Sequence, residues 1–410
     1  MLLMEFNWAR SHRYGAPRLA SPATVDEARE LVAGADRVRA LGTRHTFTGL
    51  ADTPGLLLST AGLPMDLELD EAAGTATVGA GARYGEVAVA LDARGWALAT
   101  MASLPHISVA GAVATGTHGS GDRTGSLAAA VRAVELIGPD GALRRVSRGE
   151  PDFAGSVVAL GALGVVTRVT LDVEPSYVVK QAVYRDLPWS VAETGFDALT
   201  GAAYSVSLFL DWSSDRIAQV WLKSRGDLPA DLFGATAADE PVHMLAGAPT
   251  EAVTGQQGVP GPWHERLPHF RLAFTPSRGE ELQSEYLLPR SAVQEAFAAL
   301  RPLGARIAEV LQVTEIRTVA ADDLWLSCAY GGDVVGIHFT WVKDAERVYA
   351  LLPDIEALLL PLGARPHWGK CFVSTEVAAL YPRMADFRAL RARVDPAGKF
   401  SNALVDKLVG

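Results

Sequence analysis

The pattern of apolar and polar positions along this chain changes texture near Pro175. Before it, short apolar runs stand between glycine-containing turns. Val38–Leu41 stops at Gly42, Leu56–Ser59 follows, and residues 75–78 begin after Gly74, so three short strands are expected. Helices are expected over 21–32, with Ser21 before a first-turn Pro22, and over 84–93. Residues 133–137 and 143–146 flank Gly138-Pro139-Asp140-Gly141, which predicts a hairpin, and 161–173 read as a glycine turn leading into a long alternating strand. After Pro175, Ser205–Leu210 and 219–222 alternate as in an antiparallel sheet. Residues 235–271, rich in Pro, Gly and Ala, predict a long excursion over the surface, and 291–300 a short amphipathic helix. Three further strands are expected at Leu311–Val319, 334–341 and 365–372, and the tail 394–404 is expected to pack back on the first half.

Period two assigns faces to these last strands. Val313, Glu315 and Arg317 share one face, as do Gly336, His338 and Thr340, while Ile337 and Phe339 turn to a core. The third segment adds His367 and Lys370. If the three strands are neighbours, two cations, a carboxylate, an imidazole and a hydroxyl converge. Such a group binds a polyhydroxylated neutral molecule and stabilises negative charge on one of its oxygens. Any single strand of this kind also reads as a solvated sheet face with an ordinary Glu–Arg pair.

Two stretches of the first half carry unusual chemistry. The strand Val38–Leu41 delivers a tight Thr43-Arg44-His45-Thr46 turn before Phe47. Taken alone, His45 reads as a turn cap. In 101–122, Gly111, Gly116, Gly119 and Gly121 alternate with Ala, Ser and Thr, which suits an anion cradle for a pyrophosphate, or else a helix-packing segment of small residues. Gly79 and Gly81 before a helix lack the third glycine and the acidic strand end of a dinucleotide fingerprint.

At 410 residues the chain exceeds what one core serves, so two domains are expected. With 49% hydrophobic and 20% charged residues it is globular, and the net charge of −10 without a basic run argues against nucleic acid or an anionic membrane as partner. Two cysteines, Cys328 and Cys371, make neither a disulfide framework nor a metal site, so no metal is expected. The N-terminus reaches charges and an Asn-Trp pair within a few residues, unlike a signal peptide, and no stretch approaches membrane-span length. A reducing cytoplasm and a monomeric state are the resulting expectations.

GTRHTF from Gly42, SLPHISVAGAVATGTHGSG from Ser103, TEIRTV from Thr314, HWGK from His367 and DPAGKFSN from Asp395 together resemble the vanillyl-alcohol-oxidase-type FAD-linked oxidases. Within them the chain is most similar to the branch of bacterial alditol oxidases and sugar-1,4-lactone oxidases. The resemblance implies an α+β, two-domain flavoprotein. A PCMH-type FAD-binding domain would span 1–175, completed by 378–410, and an antiparallel-sheet substrate (cap) domain covered by helices would span 176–377. It implies FAD attached through the 8α-methyl carbon to His45 by a single link, since no cysteine falls in 101–122. Gly42, Thr43, Arg44, Thr46, Ser103, Ser108, Gly111, Gly116, Thr117, His118, Gly119 and Val166 would line the cofactor. Ser103, Glu315, Arg317, Thr340 and Lys370 would bind substrate, with Lys370, Arg317 and His338 catalytic. The implied reaction oxidises the C1 hydroxyl of an alditol such as xylitol or sorbitol to the aldose, reducing O2 to H2O2. A sugar-lactone oxidase or a dehydrogenase is the alternative.

Overall fold

A computed structural model describes residues 5–274 and 279–410; Met1–Met4, which open the N-terminal stretch considered above, lie outside the described residues. The fold is α+β. Val38–Leu41 and Leu56–Ser59 pair in parallel, with Arg18–Ala20 on the outer side of Leu56–Ser59. A parallel pair requires a crossover connection, and residues 42–55 of that connection carry the His45 turn. Arg39 anchors the inner strand: its buried guanidinium donates to the carbonyls of Gly161 (2.9 Å), Leu160 (2.6 Å) and Phe400 (2.7 Å). A second sheet orders Glu68–Asp70, Thr75–Gly79, Val165–Asp172, Val131–Ile137 and Leu143–Ser147. The expected hairpin is present, with Val134 opposite Val146 and Gly141 at φ 80°, a value the turn needs and glycine adopts without strain.

The first helix starts later than expected. It runs Val25–Ala33, and its cap is Thr24, whose hydroxyl accepts from the Glu27 N–H at 3.1 Å while the Glu27 carboxylate accepts from Ala23 N–H. Thr24 caps the helix and Glu27 ties down the residue before it, and together they outcompete Ser21 followed by Pro22. Gly79 and Gly81 serve backbone packing: a Cβ on either would overlap the carbonyl of Pro64 or Thr60. The tail returns to the first half. Phe400 joins Ala28, Val32, Val38 and Leu56 in one core, and Asn402 Nδ2 donates to the Gly49 and Leu50 carbonyls.

Among the described residues the remaining chain builds a nine-stranded antiparallel sheet. Leu311–Val319 lies beside Val334–Val342, with Glu315 opposite His338 and Val313 opposite Thr340. Helices Trp189–Thr200, Val293–Leu300 and Ala345–Leu359 cover one face, where Phe196, Phe297 and Ile355 pack on Leu208, Ile316, Ile337 and Phe339. The opposite face carries the polar side chains toward the first half, where Gly121 bridges to Val319.

Two expectations about this sheet are corrected. Residues 365–372 are not a strand throughout: only Arg365–Pro366 pairs, with Glu281–Pro289 rather than with the other two strands. Beyond Pro366 the regular ladder is interrupted: His367 N–H still donates to the Glu285 carbonyl at 2.9 Å, the His367–Lys370 turn bulges the chain, and Cys371 N–H returns to the Gln283 carbonyl at 2.8 Å. The 235–271 segment is not a surface excursion either. Val242 and Val253 pack on Phe209 and Trp221, and Thr254, Gln256, Trp263 and His269 are buried. Its small residues let it lie close against the polar face. Among the described residues no helix is long and apolar enough to cross a membrane.

Candidate active site

One cavity of about 320 Å3 runs between the two halves. Its first wall is the 42–47 turn and the glycine-rich run. Arg44, at the apex with φ 66°, holds a left-handed conformation secured by its backbone carbonyl accepting from Trp8 and its side chain pairing with Glu5 at 2.8 Å. Thr43 Oγ1 accepts from the Ser108 N–H at 3.1 Å, and a Cβ on Gly42 would collide with Ser108 Oγ. The turn therefore lies flush on the glycine-rich run. Phe47 N–H donates to the Gly369 carbonyl at 2.8 Å, tying the same turn to the Lys370 loop. His45 stacks on Trp8 with ring centroids 5.2 Å apart, and its Nδ1 is buried with no hydrogen-bond partner. Burial, with His106 adding, pushes its pKa down to about 4, so the ring is neutral.

The second wall is a buried network centred on Glu285, which is 1% exposed. Glu285 Oε1 takes Arg317 at 2.8 Å and stands 3.2 Å from His118 Nε2; Oε2 takes the Lys370 ammonium at 2.5 Å. Burial pushes the Glu285 carboxyl up, but Lys370, Arg317 and His118 outweigh it and hold it well below the usual range. Glu315 pairs with His269 at 2.7 Å and Arg317 Nε at 3.5 Å, and there the Arg317 charge, helped by the His269 hydrogen bond, overcomes burial and keeps the carboxyl below its usual range. Burial lowers Lys370, with Glu285 opposing. His338 receives Lys370 at Nδ1 (2.5 Å), which leaves its proton on Nε2, 3.2 Å from Thr340 Oγ1. Burial and the Lys370 charge push it to about 4.

Two carboxylates thus face the Arg317 and Lys370 cations, with His269 and His338 neutral at pH 7. Arg317 also approaches Ser103 Oγ at 3.3 Å, joining the two walls. Held at the wall of this cavity, Arg317 and Lys370 can stabilise negative charge that develops on a bound oxygen.

Every expected catalytic and substrate residue, Ser103, Glu315, Arg317, His338, Thr340 and Lys370, lines this cavity. So do Gly42, Thr43, Arg44, His45, Thr46, Ser108, Gly111, Thr117, His118 and Val166. Gly116 and Gly119 do not. Gly116 makes a turn at φ 67°, and Gly119 is pressed against Thr100 and the Met101 carbonyl. His118 reaches past the glycine-rich run to Glu285. The sequence reading missed Glu285 altogether. Its signal was alternation in Glu281–Pro289, where Leu282, Ser284, Tyr286 and Leu288 leave Gln283 and Glu285 on the polar face. His269 and its partner Lys223 were missed as well.

The buried imidazoles set an acid limit on stability. His269 and His338 are lowered from 6.5 to about 4, so below pH 6.5 the unfolded chain takes up protons that the folded one refuses. The midpoint of thermal unfolding is expected to fall steadily between pH 6.5 and 4, ahead of any loss from the depressed carboxylates. A melting series across that range checks it, and a flat profile down to pH 4.5 contradicts it.

Over residues 16–147 the chain matches the family described as FAD binding domain, and over 274–408 the one described as D-arabinono-1,4-lactone oxidase. It is 48% identical over 410 residues to alditol oxidase of Streptomyces sp., covering 98% of each chain. It is 26% identical over 428 residues to L-gulono-1,4-lactone dehydrogenase of Mycobacterium tuberculosis, again covering 98% of each. Among solved structures, cholesterol oxidase from B. sterolicum shares the fold, with a TM-score of 0.79 over 99% of this chain and 96% of that one at 17% identity.

Proposed function

The chain belongs to the FAD-linked oxidases of the vanillyl-alcohol-oxidase type, in the family of alditol oxidase, and from that premise we propose that it oxidises the C1 hydroxyl of an alditol such as xylitol or sorbitol to the aldose, with O2 reduced to H2O2. The observation that carries this reading is the buried Arg317–Glu285–Lys370 clamp facing the same cavity as the His45 turn. The first wall suits FAD. It offers the unpartnered Nδ1 of a neutral imidazole, the hydroxyls of Thr43, Ser108 and Thr117, and backbone brought close where side chains at Gly42 and Gly111 would collide with Ser108. His45 then carries the single covalent link. Bound there, FAD supplies the acceptor for the hydride leaving C1 and passes the electrons to O2.

The chain's own residues do the rest. Lys370 and Arg317 stabilise the oxygen at C1 as its proton passes to the neutral His338 ring, relayed by Lys370 to Nδ1, a contribution made chiefly in the transition state. Glu315 and Thr340 receive the C2 and further hydroxyls, fixing which carbon faces the cofactor. His338, with one nitrogen held by Lys370 and the other by Thr340, keeps both groups in place. On this reading residues 1–175 with 378–410 form the FAD-binding domain and 176–377 the substrate domain. The enzyme acts as a cytoplasmic monomer.

Peroxide release with xylitol, sorbitol and glycerol tests the reaction; no turnover of any polyol refutes it. The match of residues 274–408 to a lactone-oxidase family favours a second reading, oxidation of a sugar-1,4-lactone, which preferential turnover of L-gulono-1,4-lactone in the same assay supports. The link has its own check. After denaturing electrophoresis the wild-type band is expected to fluoresce as flavin, and the band of His45→Ala to be dark. Equal fluorescence in the two removes His45 as the attachment point.

A further inference from the structure

Lys223 is a buried lysine for which the reaction above has no use. It projects from the strand Arg216–Ser224, is 1% exposed, and does not line the cavity. Its Nζ donates to the Leu267 carbonyl and lies 2.9 Å from His269 Nδ1. His269 Nε2, on the other side of the ring, lies 2.7 Å from Glu315 Oε1, inside the substrate cavity. The ring is confined between Phe209 and Trp221, at 5.6 and 5.1 Å between centroids, and its backbone N–H donates to the Ser103 carbonyl at 3.0 Å. Rotation of the ring is blocked, so only its proton is free to choose a nitrogen.

We propose that Lys223 is a positioning residue for substrate binding: by donating to His269 Nδ1 it fixes the ring proton on Nε2, and that proton holds the Glu315 carboxylate in the orientation that receives substrate hydroxyls. The chemistry admits one consistent assignment. Glu315 is ionised and only accepts, so the nitrogen facing it must carry hydrogen. Burial and the Lys223 charge lower His269 to about 4, which leaves one proton on the ring, and that proton must come from the tautomer whose Nδ1 accepts. Burial also pulls Lys223 to about 7, against Glu315, yet ammonium and amine alike keep a hydrogen for Nδ1. With the donor removed, the ring is free to place its proton on Nδ1, which sets a lone pair against the carboxylate, or to take a second proton once the neighbouring positive charge is gone. Either change releases or counter-charges Glu315 while leaving the Arg317–Glu285 and Lys370–Glu285 pairs in place.

The inference rests on Glu315 binding the polyol, so its test is read in two ways, one independent of turnover. Holoenzyme labelled with nitrogen-15 histidine is examined by NMR, and the His269 signals are assigned by their loss in His269→Gln. Wild type is expected to show a hydrogen-bearing Nε2 and a bare Nδ1. A bare Nε2, or two protonated nitrogens, in wild type at pH 7 overturns the proposal without any variant. Lys223→Met is expected to change that pattern and to raise KM for xylitol about tenfold, with kcat altered less than about threefold, the size of one buried hydrogen bond lost. Lys223→Gln, whose amide donates without charge, is expected to restore both the pattern and part of the KM, and it stands in should the Met variant fail to fold. An unchanged pattern in Lys223→Met, or a fall in kcat at constant KM, overturns the assignment. If wild type oxidises no polyol, the proposed function falls while the NMR still judges the Lys223–His269 link.

Discussion

Lys370→Met is expected to yield a folded, yellow protein whose polyol turnover is lower by about 10²–10³-fold, the effect of removing one preorganised charge from a developing oxyanion. Methionine nearly matches lysine in length and is at home in the buried setting. Glu285 keeps Arg317 at 2.8 Å and His118 at 3.2 Å, so the carboxylate is not stranded. Cofactor retention follows because Lys370 belongs to the second wall and His45 to the first. The comparison is steady-state peroxide release against visible absorbance. A bleached protein would place Lys370 with the cofactor, and wild-type turnover would remove it from the chemistry. Because Arg317 remains, the loss falls short of what deleting both cations would bring. His338 is also expected to lose its fixed tautomer, since Lys370 is the donor to its Nδ1.

What the chain reveals before folding depends on how local the cause is. The strands Val38–Leu41 and Leu311–Val319 run as their patterns require, because each buries apolar side chains at a period set by neighbouring residues. The polar face bearing Glu315, Arg317, His338 and Thr340 was legible for the same reason. Lys370 was assigned to that surface on the right side of the chain but for the wrong structural cause. It reaches the cluster from a turn after Pro366, and the strand that stands there instead is Glu281–Pro289. Glu285 was invisible because nothing within its strand announces a partner: the three groups that hold it, His118, Arg317 and Lys370, lie 32 to 167 positions away, as the residue numbers show. His269 was hidden by composition. A Pro-, Gly- and Ala-rich segment reads as surface loop, yet small residues also allow close packing over a sheet, and only Val242 and Val253 on Phe209 and Trp221 decide between the two.

Glu285→Gln is expected to be the most destabilising conservative substitution in the site, by about 3–5 kcal/mol, because it removes the common partner of the buried Arg317 guanidinium and the part-buried Lys370 ammonium. The amide fits the space and still accepts one hydrogen bond, but it neutralises nothing, and Glu315, 3.5 Å from Arg317 Nε, is then the cluster's remaining buried carboxylate. The shortfall has a chemical consequence beyond stability. Burial already lowers the Lys370 ammonium, and Glu285 is the main group opposing it. Without that carboxylate Lys370 loses its proton at a lower pH, so the cation needed to stabilise the substrate oxygen is present over a narrower range. The alkaline limb of kcat/KM is therefore expected to move to lower pH in Glu285→Gln, while turnover on the acid side is reduced less. Denaturant midpoints measure the first effect and pH–rate profiles the second. Destabilisation with an unmoved alkaline limb would make Glu285 a structural clamp alone, and an unmoved limb with wild-type stability would show that Arg317 and Lys370 hold their charges without it. The two measurements together separate the carboxylate that assembles the site from the cation that works in it, because only a change in Lys370 ionisation shifts a limb of the profile.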